Sequence, residues 1–374
     1  MEDGRFRTSC FRYGGMELLG ISVYLGNGPI VEQIPYIRKM KDHGFQSIFT
    51  SLHIPEDDHS VYRKQLKELG KAAKELDMEL MADISPESLK SLGYDWETAE
   101  ELLDWGLSGL RIDYGIDEDT IVQLSQKMKI ALNASTISKM ELLRLKEKGL
   151  DTRMVEAWHN FYPRPETGLG ADFFNEKNKE LQEAGIRVMA FIPGDAKLRG
   201  PLYEGLPTLE KHRTFSPFAA YLDLSHAGVD KIIIGDLEIS DASLTQFAAY
   251  RDGEIIVRAE AHEDVDREWI QVAANRFTNR KDPARDCIRA VESRSYAQYG
   301  TMEVPPKNTV ERPVGTITID NENYKRYRGE IQITLRDLPK DERVNVLGRV
   351  IEPDLPILKW IQADQRFKII WIDD

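Results

Sequence analysis

Acidic side chains stand at or near the ends of several short apolar runs in this sequence. Asp83 closes the run in MADIS, Asp113 closes LRIDYG, and Glu156 lies inside MVEAWHNFY. A carboxylate at the end of a buried strand is costly to desolvate and adds nothing to packing. Two such carboxylates can hydrolyse a glycosidic bond, one as the proton donor and the other as nucleophile, base or electrostatic stabiliser. Asp83 and Asp113 are therefore the first-choice catalytic residues, with Glu156 in reserve.

These carboxylates also have structural interpretations. Asp83 precedes SPES and could serve as the N-cap of a helix. By alternation along its strand, Glu156 is expected to point inward, where a buried ion pair with Arg111 would fix the interior. Catalysis and this structural role both remain open for Glu156.

Other polar residues follow the same apolar runs and are predicted to bind a substrate. A lone histidine on a strand, such as His159, could act as an acid or base but is more often a satisfied structural residue. The predicted substrate-binding residues are Asn133, His159, Asn160, Tyr162 and Asp236.

A cationic loop, PGDAKLRGPLYEGLPTLEKHR, follows one of the runs at residues 193–213. The chain has a net charge of −13, so this cluster is expected to serve a local anion instead of nucleic acid or a membrane surface. Arginine and lysine side chains, with backbone N–H groups beside glycine, can close on a phosphate or carboxylate. Lys197, Arg199 and Gly200 are the predicted phosphate-binding residues, whereas Lys211 and Arg213 could simply begin the next helix.

Eight short apolar runs alternate with amphipathic segments of helical period over residues 16–250. This alternation predicts an α/β fold, a (β/α)8 TIM barrel, preceded by an extension at residues 1–15. The first turn, GNGP, lacks the G-x-G-x-x-G pattern of a dinucleotide-binding fold. In TIM barrels the active site lies at the carboxyl ends of the strands, and phosphate sites often come from the loops after strands 7 and 8. The candidate residues are therefore expected to surround one mouth. The eight predicted strands are 20–25, 47–52, 79–85, 109–114, 130–135, 154–162, 187–193 and 231–236.

The rhythm changes after residue 250, where strand-like runs follow one another without regular helices. Residues 251–374 are predicted to form a small, mostly antiparallel β-barrel domain, interrupted by one helix at 282–291. This domain could be a packing or dimerisation module, or a lid that lends Arg280, Arg285 or Asn321 to the site.

Composition excludes several classes of protein. No apolar run approaches the ~20 residues of a membrane helix, and no secretion signal is visible, so a cytoplasmic protein is expected. The two cysteines argue against a disulfide framework. No cluster has metal-ligand spacing, so neither a metal nor another cofactor is expected.

Several of these segments together resemble one bacterial family, the 6-phospho-N-acetylmuramidases of cell-wall recycling, long labelled as a domain of unknown function or an outer surface protein. The resemblance covers essentially everything from Met16 onward, and its most distinctive blocks follow the sixth and seventh predicted strands. The segments are GISVYL, FTSLHIPEDD, MADISPESL, LRIDYG, NFYPRPETGLG, FIPGDAKLRGPLYEGLPTLEKHR and TIDNENYKRYRGEIQI.

The resemblance implies a TIM barrel with a C-terminal cyclophilin-like β-barrel. It also implies a cytoplasmic hydrolase that releases N-acetylmuramic acid 6-phosphate from N-acetylglucosamine. Such a substrate carries a phosphate and a lactyl carboxylate, which would give the cationic loop a ligand. Two alternatives stay open: a sugar-phosphate isomerase or epimerase, and a noncatalytic phosphosugar-binding regulator. The sequence is compatible with a homodimer.

Overall fold

The computed structural model describes residues 18–52, 59–112, 115–293 and 303–372. The predicted extension at residues 1–15 and the predicted catalytic residue Asp113 lie outside these ranges.

Eight parallel strands close into a barrel in the order in which they occur along the chain. Each strand falls within, or within one or two residues of, one of the apolar runs of the sequence, so the predicted TIM barrel is confirmed. The strands are β1 (Leu18–Ser22), β2 (Ser47–Ser51), β3 (Glu79–Ile84), β4 (Gly109–Ile112), β5 (Lys129–Asn133), β6 (Val155–Trp158), β7 (Arg187–Ile192) and β8 (Lys231–Ile234).

Helices connect the barrel strands, and several begin at side-chain caps that the sequence encodes. Ser138 and Glu141 form a capping box at the start of α5, and Ser240 caps α8. The connection from β3 to β4 uses the short helix α3 and a 3-10 helix at Ala99–Trp105. The helices of this region are α1 (Ile30–Asp42), α2 (His59–Glu75), α3 (Pro86–Ser91), α4 (Glu118–Ser125), α5 (Lys139–Glu147), α6 (Ala171–Glu183), α7 (Pro217–His226) and α8 (Asp241–Arg251).

The side chains of β2 show how the barrel interior is layered. Successive side chains of a strand point to opposite faces, so Ser47, Phe49 and Ser51 share one face. Ser47 Oγ donates to Glu79 Oε2 (2.8 Å), and Ser51 Oγ donates to Asp83 Oδ2 (3.4 Å). Phe49 lies between these two polar contacts in the strand.

An aromatic cluster forms the middle of the barrel interior. The Phe49 ring lies 6.0 Å from Trp158 and 5.1 Å from Phe191, centroid to centroid, and all three side chains are buried. Because rings of this size fill the interior, the polar residues at the two ends of the strands form separate layers.

The C-terminal region is a mostly antiparallel, seven-stranded sheet that is nearly closed, as predicted. The edge strands β10 and β11 approach each other through an antiparallel bridge between Asn279 and Ala290. The pairing of β15 with β9 is parallel. The sheet order is β10-β15-β9-β14-β12-β13-β11, with β9 (Glu254–Ala261), β10 (Arg276–Thr278), β11 (Cys287–Arg289), β12 (Thr316–Asp320), β13 (Ile331–Thr334), β14 (Val344–Val350) and β15 (Arg366–Trp371).

The predicted helix at residues 282–291 is wrong. The segment contains β11, which pairs with β13, and the helix of this region is instead α9 (Arg267–Ala273). Ile288 and Ala290 are both buried, and a spacing of two residues suits one face of an extended strand better than one face of a helix.

The chain divides into two compact units that are discontinuous in sequence. The first contains the described residues up to Asn160, with 172–191 and 225–233, and holds nearly all of the barrel strands. The second contains residues 161–171, 192–224 and those from 234 onward, so it combines the loops after β6 and β7 with the C-terminal sheet. Among the described residues, no helix has the length and hydropathy required to span a bilayer.

Candidate active site

A carboxylate and a buried guanidinium meet near the carboxyl ends of β3 and β4. Arg111 Nη1 donates to Asp83 Oδ1 at 2.7 Å, and Ser51 Oγ contacts the other carboxylate oxygen. Arg111 is 4% exposed, whereas the Asp83 side chain is 16% exposed. The helix-capping interpretation of Asp83 is not supported, because Ser85 is the N-cap of α3. An ion-paired carboxylate with partial access to solvent is suited to act as base, nucleophile or electrostatic stabiliser.

Asn160 joins this pair from the end of β6. Arg111 Nη2 donates a hydrogen bond to Asn160 Oδ1. Because arginine carries only donors, the amide oxygen must face it, and the orientation of the Asn160 amide is fixed. We call Asp83, Arg111 and Asn160 the rim set, since they lie at the carboxyl ends of their strands.

Glu156 belongs to the opposite end of the same strand. Its Oε2 atom lies 2.6 Å from Lys231 Nζ and accepts a hydrogen bond from Trp158 Nε1 at 2.8 Å, and Arg187 Nη2 lies 3.0 Å from Oε1. The expected ion pair of Glu156 therefore exists, but its cations are Lys231 and Arg187, and Arg111 pairs with Asp83. These contacts favour the structural interpretation, since the amino-terminal face of a TIM barrel serves stability.

Two further residues complete this amino-end cluster and were missed in the sequence. Glu79 binds Lys231 at 2.6 Å and also forms an ion pair with Lys129. Burial raises the pKa of Glu79, but the charge of Lys231 and the contacts with Lys129 outweigh it and lower the pKa to about 2. A signal was present, because Glu79 and Lys129 each place a charged side chain at the first position of a strand, in ELMADI and KIALN. We call Glu79, Lys129, Glu156 and Lys231 the base cluster.

His159 lies on the outer side of β6, against helix α6. Its ring nitrogens lie 2.9 Å from Ser135 Oγ and 2.8 Å from Asn178 Oδ1, and its ring packs on Phe174. Burial lowers the pKa of His159 to about 4, so the ring is neutral at physiological pH. These contacts favour the structural interpretation over substrate binding.

Asn133 ends β5 and stabilises the turn that follows. Its Oδ1 atom accepts a hydrogen bond from the backbone N–H of Ser135 at 3.0 Å, and its carbonyl accepts from the N–H groups of Thr136 and Ile137. This Asx-type turn accounts for an asparagine at the position without a ligand.

Asp236 organises the cationic loop. Its carboxylate, 1% exposed, accepts hydrogen bonds from the backbone N–H groups of Gly194 (2.8 Å), Arg199 (3.0 Å) and Leu206 (3.0 Å). Burial raises the pKa of Asp236, and the three N–H donors oppose that shift. Both carboxylate oxygens accept hydrogen bonds from backbone N–H groups. Asp236 therefore holds the two ends of the segment 199–206, which we call its stems, close together.

The predicted phosphate-binding residues lie in this loop. Lys197 is exposed and its backbone bridges to Glu238, while Arg199 is half-buried with its guanidinium carbon 5.9 Å from the Phe161 ring centre. A Cβ atom at Gly200 would lie 3.0 Å from Tyr203 Cζ, so the ring of Tyr203 occupies the space that glycine leaves.

Arg213 ties this loop to the loop after β6. Its guanidinium donates to the carbonyl oxygens of Glu204, Gly205 and Tyr162 and forms an ion pair with Glu210. Arg213 does lie in a short 3-10 helix that precedes α7, but its guanidinium is committed to backbone. The structure places Tyr162 in this arrangement through its main chain, with its side chain half-buried.

A metal site finds no support in the ranges that the structure covers, where no group of three or more His, Cys, Asp or Glu side chains could hold an ion. The rim set offers an ion-paired carboxylate and an oriented amide, which can do acid–base and electrostatic chemistry.

Known proteins resemble this chain over nearly its whole length. A crystal structure described as that of a conserved protein of unknown function from Enterococcus faecalis has 45% sequence identity and a TM-score of 0.84, and the match covers 95% of this chain and 96% of that one. A structure of an uncharacterized B. cereus protein has 27% identity and a TM-score of 0.70, covering 95% and 99%. No curated protein matches the chain.

Two family models match consecutive parts of the chain. The model described as 6-phospho-N-acetylmuramidase, N-terminal, matches residues 19–249, and its C-terminal counterpart matches residues 255–370. The chain therefore belongs to the 6-phospho-N-acetylmuramidase family.

Proposed function

We propose that this protein is a glycoside hydrolase that cleaves N-acetylmuramic acid 6-phosphate from N-acetylglucosamine, or a closely related 6-phosphorylated disaccharide, in cell-wall recycling. The family supports glycosidase activity. The observation that carries the chemistry is the ion pair between Asp83 and Arg111, because it holds a carboxylate ready to stabilise positive charge at an anomeric carbon.

Asp83 and Asp113 are the proposed catalytic carboxylates. Asp83, already paired with a cation, acts as the nucleophile, base or electrostatic stabiliser, and Asp113 donates the proton to the leaving oxygen. The 2-acetamido group of the substrate is an alternative nucleophile, in which case Asp83 orients it. Asn160 binds the acetamide or a sugar hydroxyl, since Arg111 fixes its amide. Glu156 has no part in this mechanism because it is paired in the base cluster.

The cationic loop binds the phosphate in this proposal. Lys197 is exposed and Arg199 is half-buried, so both have access to an anion, and Asp236 fixes the backbone from which Arg199 projects. Charge-assisted hydrogen bonds from arginine and lysine are suited to a phosphate dianion.

The remaining assignments are parts of the same proposal. We place the boundary between a catalytic domain (16–250) and a cyclophilin-like domain (251–374) near residue 250, which the ends of the two family models at 249 and 255 support. The protein acts in the cytoplasm on a substrate delivered by phosphotransferase uptake. A homodimer is compatible with these roles.

The decisive experiment incubates the protein with a phosphorylated muramyl disaccharide and identifies the products by mass spectrometry. Hydrolysis yields two sugars, an isomerase yields one product with exchange of solvent protons, and a regulator binds without turnover. Arg199→Ala should raise KM steeply on the phosphorylated substrate and have little effect on residual activity towards the unphosphorylated one. Equal effects on both substrates would contradict the proposal that Arg199 binds the phosphate.

A further inference from the structure

An exposed apolar tip projects from the cationic loop between the two stems that Asp236 holds. Leu202 is 47% exposed and Tyr203 is 64% exposed, whereas Gly205 and Leu206 next to them are buried. These two neighbouring apolar side chains are therefore accessible to a ligand, and the backbone that carries them gives a second reason to consider one.

The backbone at the tip is held in a conformation that tyrosine rarely adopts. Tyr203 has a φ of 58°, in the left-handed region, where a residue with a bulky side chain is strained. Strain of this kind persists only where surrounding contacts impose it, and it is concentrated at functional sites.

Those contacts are present on both sides of the tip. Asp236 accepts hydrogen bonds from the N–H groups of Arg199 and Leu206. Arg213 donates to the carbonyls of Glu204 and Gly205. Within the tip, the Tyr203 N–H donates to the Arg199 carbonyl at 3.3 Å. The Tyr203 ring also packs against the backbone of Gly200. The loop therefore holds an exposed aromatic ring in a fixed place, four residues from a proposed phosphate-binding arginine.

We propose that the Tyr203 ring is a stacking platform for the pyranose ring of the phosphosugar whose phosphate Arg199 binds. This inference rests on the proposed function, because it extends phosphate binding by the same loop to the ring that carries the phosphate. A sugar presents an apolar face of C–H groups flanked by hydroxyls, which suits one aromatic ring among charged neighbours such as Arg199 and Glu204. Two apolar side chains are too few for a stable protein interface, which buries ~800 Å² on each partner.

The test compares Tyr203→Gly with Tyr203→Phe. Glycine accepts the left-handed backbone without strain, so it removes the ring while keeping the loop conformation, and phenylalanine keeps the ring. Isothermal titration calorimetry measures the binding of two probes to each variant: N-acetylglucosamine 6-phosphate and inorganic phosphate.

Tyr203→Gly should weaken binding of the sugar phosphate about tenfold and leave binding of inorganic phosphate unchanged. Tyr203→Phe should match the wild type with both probes, and Arg199→Ala should weaken both. With the disaccharide as substrate, Tyr203→Gly should raise KM by a similar factor and leave kcat within twofold.

Three results would overturn the platform. The first is unchanged sugar-phosphate binding in Tyr203→Gly. The second is an equal loss of binding for both probes, which would mean that the ring only supports the loop. The third is that the wild type does not bind the sugar phosphate. A shift to a smaller oligomer in Tyr203→Gly, with sugar binding intact, would assign the tip to contact with a second copy. Sugar binding that depends on Tyr203 without any cleavage would instead refute the hydrolase and keep the platform.

Discussion

The barrel contains two polar layers, one at each end of its strands, with aromatic side chains between them. The base cluster pairs two carboxylates with two lysines, and the Glu156 side chain is only 3% exposed. The rim set pairs one carboxylate with a buried arginine and a fixed amide, and its Asp83 side chain is 16% exposed. Both layers combine carboxylates with cationic side chains, so the position along the strand distinguishes the layer that we interpret as structural from the layer that we propose to be reactive.

Asp83→Asn tests the rim set and should have the largest effect. The substitution keeps the shape of the side chain but removes its charge, so kcat on the phosphorylated disaccharide should fall about a thousandfold. The buried Arg111 would also lose its carboxylate partner, so the thermal midpoint should fall, and kcat is compared at a temperature where both proteins are folded. Retention of near-normal kcat would contradict a catalytic role for Asp83.

Glu156→Gln tests the base cluster and should lower stability while leaving catalysis almost intact. Lys231 would lose one of its two charged partners in a buried place, so the free energy of unfolding should fall by about 3 kcal/mol. The folded variant should keep kcat within a fewfold of the wild type. Arg187→Ala is the matched control, because this side chain is 53% exposed and its ion pair contributes at most ~1 kcal/mol. A Glu156→Gln protein of normal stability but without activity would reverse the assignment of the two layers.

Asp320 is a third kind of buried carboxylate. Unlike Asp83 and Glu156, it has no cationic partner in ion-pair contact within the described ranges. Burial, followed by the charges of Glu330 and Asp341, raises the pKa of Asp320 to about 8. The folded state therefore holds a proton that the unfolded state has released above pH ~4. The stability that this proton provides is complete below pH ~4 and is lost as the pH rises towards 8.

Between pH 5 and 7 the free energy of unfolding should fall by about 1 kcal/mol per pH unit, and Asp320→Asn should abolish this contribution. Urea titrations at pH 5, 6, 7 and 8 measure it, with the exposed Asp264→Asn as the control. Parallel pH profiles for Asp320→Asn and the wild type would contradict the raised pKa.

Periodicity predicted the barrel because each strand is a short apolar run and each is followed by a segment of helical period. Both patterns can be read from the local sequence. It failed at residues 282–291, where the strand Cys287–Arg289 is created by pairing with β13, a segment more than 40 residues further on. Pairing partners in the interior were not predictable for the same reason. Lys231 meets Glu79 and Glu156 only when the barrel closes, so the sequence alone suggested Arg111 as the partner of Glu156.

Roles in the cationic loop were only partly predictable. Lys197 and Arg199 were chosen by their position after the seventh strand, and they remain proposals. The sequence could not show that Arg213 and Asp236 hold backbone, because a charged side chain that binds N–H or carbonyl groups looks the same in a sequence as one that binds a ligand. Tyr203 was overlooked because its signal is a backbone dihedral angle.

Asp236 holds the loop by accepting hydrogen bonds from main-chain N–H groups, which every residue except proline possesses. Residues 200–204 can therefore be exchanged while the ends of the segment stay fixed, and chimaeras that transplant only these five positions should fold on the same scaffold. We predict that exchanging residues 200–204 changes the preference for the sugar while Asp236 keeps the loop in place.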